Sequence, residues 1–162
     1  MIVRNILDSI RSYSAKDKKE VAEIMSLLLK ELSIKPKEFA IPISAFRAKL
    51  SGLEIVVKFL KEESKLSFKK IAQLLNRKPN TIWTTYRNAA KKYPQTLDIS
   101  DYSYSIPASI LKDRKFSVLE LIVAHLKDNY ELSINEIATL LNRNYQTIRT
   151  VYSRYKTKRG NK

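Results

Sequence analysis

Apolar positions recur along this chain at spacings of three and four, the mark of helices that bury one face. Val3, Ile6, Leu7 and Ile10 share a face of a segment over 3–12. Val21, Ile24, Met25, Leu28 and Leu32 share a face of a second segment, from Ala15 to Ser33. Ser14 and Asp17 stand at the start of that segment in the spacing of a capping box, in which a hydroxyl and a carboxylate satisfy free amide donors. Residues 1–40 are predicted to form a helical hairpin whose apolar stripe needs a cover. Two covers are open: the rest of the chain, or the same surface of a second copy, which would make a homodimer.

From Leu50 onward the pattern is written twice. The stretch Leu50–Lys92 recurs as Phe116–Lys158 at a constant offset of 66 residues. Both copies keep Ser51/Ser117, Leu53/Leu119, Glu54/Glu120, Val57/Val123, Leu60/Leu126, Ser67/Ser133, Ile71/Ile137, Ala72/Ala138, Ile82/Ile148 and Tyr86/Tyr152, with the run Leu74–Arg77 repeated as Leu140–Arg143. Self-similarity at a fixed period means one folding unit used twice.

In the first copy, Leu50, Leu53, Val56, Val57 and Leu60 predict a helix over Ser51–Glu63. Ser67 caps a second helix, its hydroxyl bonding an amide two or three residues on. That helix buries Ile71, Leu74 and Leu75 and stops at Asn76, a residue that tolerates the left-handed conformation. Pro79 opens a third helix that runs to Lys92 with Ile82, Tyr86 and Ala89 inward. A four-residue turn between second and third helices is the spacing of a helix-turn-helix.

An apolar arm precedes each copy, Ile41-Pro42-Ile43-Ser44 and Ile106-Pro107-Ala108-Ser109, at an offset of 65. Proline biases its neighbourhood toward extended backbone, so the arms are expected to pack beside the copies, with a short paired strand as the alternative. The expected fold class is all-α: two tandem three-helix helix-turn-helix units preceded by an N-terminal helical hairpin. The expected divisions are 1–40 for the hairpin, 41–93 for the first unit, 94–105 for a linker, and 106–162 for the second unit with a basic tail that frays from Lys156.

Charge adds a partner to this picture. The chain carries 31 Lys and Arg against 16 Asp and Glu, a formal charge of +15. The excess sits on the repeats: 12 basic against 4 acidic residues in 41–100, and 11 against 6 in 101–162, compared with 8 against 6 in 1–40. Such an excess draws in a polyanion. The bland alternative is the Lys-rich solvated surface of heat-adapted proteins, but those pair Lys with Glu, and acids are scarce here.

Particular stretches resemble a known family. Leu50-Ser51-Gly52-Leu53-Glu54, Leu66-Ser67-Phe68-Lys69-Lys70-Ile71-Ala72-Gln73-Leu74-Leu75-Asn76, Thr81-Ile82-Trp83-Thr84 and Ala89-Ala90-Lys91-Lys92 resemble region 4 of bacterial sigma factors, especially the extracytoplasmic-function type. The second copy matches through Phe116-Ser117-Val118-Leu119-Glu120, Leu132–Ala138 and Thr147-Ile148-Arg149-Thr150. Asn76 and Asn142 replace the family's frequent turn glycine, and no segment resembles the part of a sigma factor that melts promoter DNA. The resemblance implies a module whose third helix enters the major groove of double-stranded DNA, and, from the family's habits, contact with RNA polymerase.

In such a module the exposed N-terminal part of the third helix reaches base edges, while the turn and helix ends meet phosphates. The outward positions expected to read bases are Lys78, Asn80, Trp83, Thr84 and Arg87 in the first copy, and Asn144, Gln146, Arg149, Thr150 and Ser153 in the second. Amides such as Asn80 and Gln146 can pair bidentately with adenine, and Arg87 or Arg149 with guanine. Arg77 and Arg143 are expected at phosphates, with Lys91, Lys92, Arg154, Lys156 and Lys158 adding attraction to the backbone. Because the copies differ at the reading positions, the expected target is an asymmetric bipartite site with centres about 10 base pairs apart.

The leading functional reading is a sequence-specific transcription regulator that is not an enzyme, needs no cofactor, and works in the cytoplasm at the nucleoid. The alternatives are an architectural DNA-binding protein that uses phosphates alone, or an adaptor docking on RNA polymerase or another DNA-processing complex. There are no cysteines, one histidine (His125, expected to pack), no phosphate-binding glycine loop and no metal-ligand cluster, and no apolar run long enough for a membrane span.

Overall fold

The computed structural model describes residues 14–31 and 38–160, which fall into two compact units, one within Met1–Lys37 and one within Glu38–Lys162. In the first unit, helix α1 spans Ala15–Glu31. The Asp17 amide donates to Ser14 Oγ at 3.3 Å and the Ser14 amide to Asp17 Oδ2 at 3.3 Å, the expected capping box. Val21 is half-buried, whereas Ile24, Met25 and Leu28 are 47–52 % exposed. The predicted helix over 3–12 and Leu32 of the stripe lie outside the described residues.

The second unit is mostly helical. It contains β1 (Ala40–Pro42), α2 (Gly52–Glu62), α3 (Phe68–Leu74), α4 (Pro79–Lys92), β2 (Ser105–Pro107), α5 (Val118–Tyr130), α6 (Ile134–Leu140) and α7 (Tyr145–Gly160), with a short 3-10 turn after each strand. Ser51 and Ser117 cap α2 and α5 in full capping boxes with Glu54 and Glu120, and Ser133 with Glu136 does the same for α6. Ser67 caps α3 by accepting from the Lys70 amide. Asn76 and Asn142 take positive φ of 51° and 49°. The Arg77 amide reaches back to the Ala72 carbonyl at 2.8 Å and the Arg143 amide to that of Ala138 at 2.9 Å, closing a Schellman motif after each second helix. These closures fix where the chain turns toward α4 and α7.

Each third helix packs on the first and second helices of its own copy, and one apolar core joins both copies. Residues Glu54 to Leu60 of α2 are all buried in succession, because α3, α4, α5 and the first arm surround this helix. Residues 94–104 between the copies are docked on the first arm rather than free. Leu97 is buried, the Ser44 hydroxyl donates to the Asp98 carbonyl at 2.9 Å, and Arg47 pairs with Asp101 at 2.9 Å.

Two expectations change. The arms do not lie separately beside the copies: β1 and β2 form an antiparallel ribbon with Ile41 opposite Ile106, Ala40 opposite Pro107 and Pro42 opposite Ser105. This is the alternative of a paired strand, favoured because both isoleucines are fully buried beneath it and extended backbone around each proline leaves amides to be paired. Nor does the basic tail leave the fold at Lys156, since α7 continues to Gly160.

The ribbon also sets the relation between the copies, because it pairs equivalent residues with each other. The Ile43 amide donates to the Tyr104 carbonyl at 3.0 Å, and in reciprocal fashion the Ala108 amide donates to the Phe39 carbonyl at 2.8 Å. Gly52 and Val118, one position in two copies, touch directly: a Cβ on Gly52 would stand 3.1 Å from Val118 Cγ1. Self-pairing and reciprocity define an isologous, twofold contact of the kind found between the subunits of a dimer.

Candidate nucleic-acid interface

The turn and third helix of each copy carry the ten expected reading positions. Lys78, Asn80, Trp83, Thr84 and Arg87 are all exposed, as are Asn144, Gln146, Arg149, Thr150 and Ser153. Ile82 and Ala89 face the core, with Ile148 and Val151 doing so in the second copy. Pro79 at the first turn of α4 leaves Lys78 as the N-cap without a side-chain bond. In the second copy Asn144 occupies that place, and its Oδ1 accepts the Gln146 amide at 2.8 Å. Asn144 therefore commits its side-chain oxygen to the helix start while remaining exposed. Trp83 is 47 % exposed and has the Arg87 guanidinium 4.8 Å above its ring, so the two form one stacked unit.

The third helices contain no acidic residue. Neither α4 nor α7 holds an Asp or Glu along its whole length, whereas they carry Arg87, Lys91, Lys92, Arg149, Arg154, Lys156, Lys158 and Arg159. The acids that face these helices sit behind them on α2 and α5. Lys92 Nζ is 2.6 Å from Glu54 Oε1 and Lys158 Nζ is 2.8 Å from Glu120 Oε2. Tyr86 and Tyr152 donate their hydroxyls to Glu62 and Asp128 at 3.2 Å. Burial and then the neighbouring carboxylate raise both phenols above the ordinary tyrosine value, so they remain donors.

The seven expected phosphate residues separate into three groups. Lys91, Arg154 and Lys156 are exposed and enter none of the ion pairs among the described residues. Lys92 is exposed and Lys158 half-buried, and both hold the buried capping glutamates, so part of their charge is matched internally. Arg143 turns toward the other copy, where its Nη2 donates to the Leu50 carbonyl at 2.6 Å. Its equivalent, Arg77, is half-buried with no partner for Nε. Burial, and then repulsion from Arg114, hold the Arg77 guanidinium below the ordinary arginine value. The geometry thus gives both retained arginines a place at the joint between copies, which the repeat alone did not reveal.

Along that joint runs an open cleft of about 970 Å³ whose lining contains Arg47, Lys49, Arg77 and Arg143 and no acidic residue. Arg47 and Lys49 follow the first arm and were missed in the sequence reading. The retained Lys49/Lys115 pair was the available signal. His125 is half-buried with its ring edge-on to Tyr130 at 5.6 Å, a packing role as expected. No described helix is long and apolar enough to cross a membrane, and among the described residues no cluster of three His, Asp or Glu side chains could hold a metal ion.

No family model matches the chain, and no curated protein or solved structure matches it either.

Proposed function

We propose that residues 38–160 form a tandem helix-turn-helix protein that binds double-stranded DNA in a sequence-specific way and acts as a transcription regulator. The observation that carries this reading is the pair of acid-free third helices. In a chain with 16 acidic residues, both helices that follow a four-residue turn present only neutral and basic side chains outward. A phosphate backbone repels carboxylates and gains from each Lys or Arg it meets. Amides and guanidinia at the exposed N-terminal half supply the groups that discriminate bases. A Schellman closure holds each turn, and Asn144 adds a cap bond in the second copy, so these side chains are preorganised.

The resemblance to sigma region 4 supports the same module and leaves polymerase docking as a competing use of it. Selection of a randomised duplex library near physiological salt, followed by sequencing of the bound pool, tests the proposal. Enrichment of a bipartite motif is the expected result. Binding without enrichment would make the protein an architectural DNA binder, and absence of binding would turn attention to the adaptor reading.

A further inference from the structure

We infer that the two third helices engage half-sites of inverted polarity on one duplex, unlike in base sequence, so that one chain does the work of a twofold dimer. The inference rests on the reading that these helices bind DNA. It deepens that reading by fixing the orientation of the target.

Ile41 pairs with Ile106, Gly52 touches Val118, and Ile43–Tyr104 mirrors Ala108–Phe39, so a rotation of half a turn carries one copy onto the other. Half-sites repeated head to tail are related instead by translation and twist along the groove. A twofold pair cannot place both reading helices on such repeats without breaking its joint. Inverted half-sites share the protein's symmetry, as dimeric helix-turn-helix proteins share that of their operators.

Rigidity matters, since two modules on a free tether could satisfy either orientation. Here the ribbon, the common core and the docked segment around Leu97 leave no free tether. The approach to DNA is shared as well. Arg77 and Arg143, one from each turn, line the same cleft at the Gly52–Val118 contact, so both third helices start from one end of the joint. Polarity is inverted but sequence is not repeated: Asn80 is matched by Gln146, Trp83 by Arg149 and Arg87 by Ser153. The two halves should therefore differ in their bases.

The test uses the full chain and duplexes built from the two enriched halves: one half alone, the two inverted, and the two head to tail, with the spacer stepped through one helical turn. Affinity is read by fluorescence anisotropy. The inverted duplex at its best spacer should bind about 100-fold or more tighter than the single half, the gain expected when a second module binds intramolecularly. The head-to-tail duplex should bind no tighter than the single half at any spacer. A head-to-tail duplex that equals or exceeds the inverted one would overturn the inference, as would two halves that never exceed one. A bound pool with no enriched half would overturn the DNA-reading assignment itself, and this inference with it.

Discussion

Lys158 Nζ lies 2.8 Å from Glu120 Oε2, tying the last turn of α7 to the first turn of α5. Lys92 and Glu54 make the same tie in the first copy at 2.6 Å. Burial alone would raise both carboxyls, but the lysine ammonium with the serine amide and hydroxyl outweighs it and holds both below the ordinary glutamate value. A carboxyl depressed in the folded state binds fewer protons than in the unfolded chain, so its stabilising effect is present above the unfolded value of about 4.3 and is lost as pH falls through the folded value. Denaturant midpoints should drop as pH is lowered below that point. The double variant Glu54→Gln, Glu120→Gln should start lower and lose less over the same range. Equal slopes in the two proteins would refute the assignment.

Lys58 should show that a buried charge is not a stability asset. Its side chain is 1 % exposed and its ammonium reaches Glu62 at 2.7 Å, while the second copy has Ala124 at that position. Lys58→Met keeps the volume and leaves Glu62, 22 % exposed, within reach of water and the Tyr86 hydroxyl. It should change unfolding free energy by less than about 1.5 kcal/mol. Glu62→Met strands the buried ammonium and should cost about 3 to 5 kcal/mol. Urea titration of both variants checks the contrast, and similar losses from each would contradict it.

Gly52 and Val118 give a test of the joint. A side chain at Gly52 would stand against Val118 Cγ1 at 3.1 Å, closer than ordinary van der Waals contact. Gly52→Val should cost about 1 to 3 kcal/mol through overpacking. Adding Val118→Gly moves the same volume to the other side of the axis and should recover most of that loss, a coupling visible in a double-mutant cycle. Additive losses would mean the two residues do not meet.

The local structure was legible from residues and spacing. Ser51, Ser67, Ser117 and Ser133 start helices, and Asn76 and Asn142 end them in the left-handed region, because caps and turns are decided within a few residues of chain. The capping boxes at Ser51, Ser117 and Ser133 are equally local, each a serine three residues before a glutamate. What could not be read was how the copies meet. Arg77 and Arg143 look like any basic turn residue until Arg143 is found on the Leu50 carbonyl of the other copy. Nothing in the sequence marks Lys58 as buried, yet it lies in the stretch of α2 from Glu54 to Leu60 that is covered on every face. Two repeats in sequence fix the unit but not the operation between units, which depends on contacts far apart along the chain.

Base reading and phosphate attraction should separate by substitution. Arg149 is exposed on the N-terminal half of α7, and Lys156 is exposed two turns further on. Arg149→Ala should cost about 1 to 3 kcal/mol on the preferred site and relax preference at one base position. Lys156→Ala should weaken all sequences alike and reduce the slope of log affinity against log salt by about one. Arg143, expected from sequence to meet phosphate, gives a third behaviour because it closes the joint. Removing it leaves the Leu50 carbonyl without its charged donor and should lower unfolding free energy by about 1 to 3 kcal/mol even without DNA. Binding titrations at three salt concentrations, paired with denaturation of each variant, tell these effects apart. Identical losses from Arg149→Ala and Lys156→Ala on random DNA would defeat the division between the two halves of the helix.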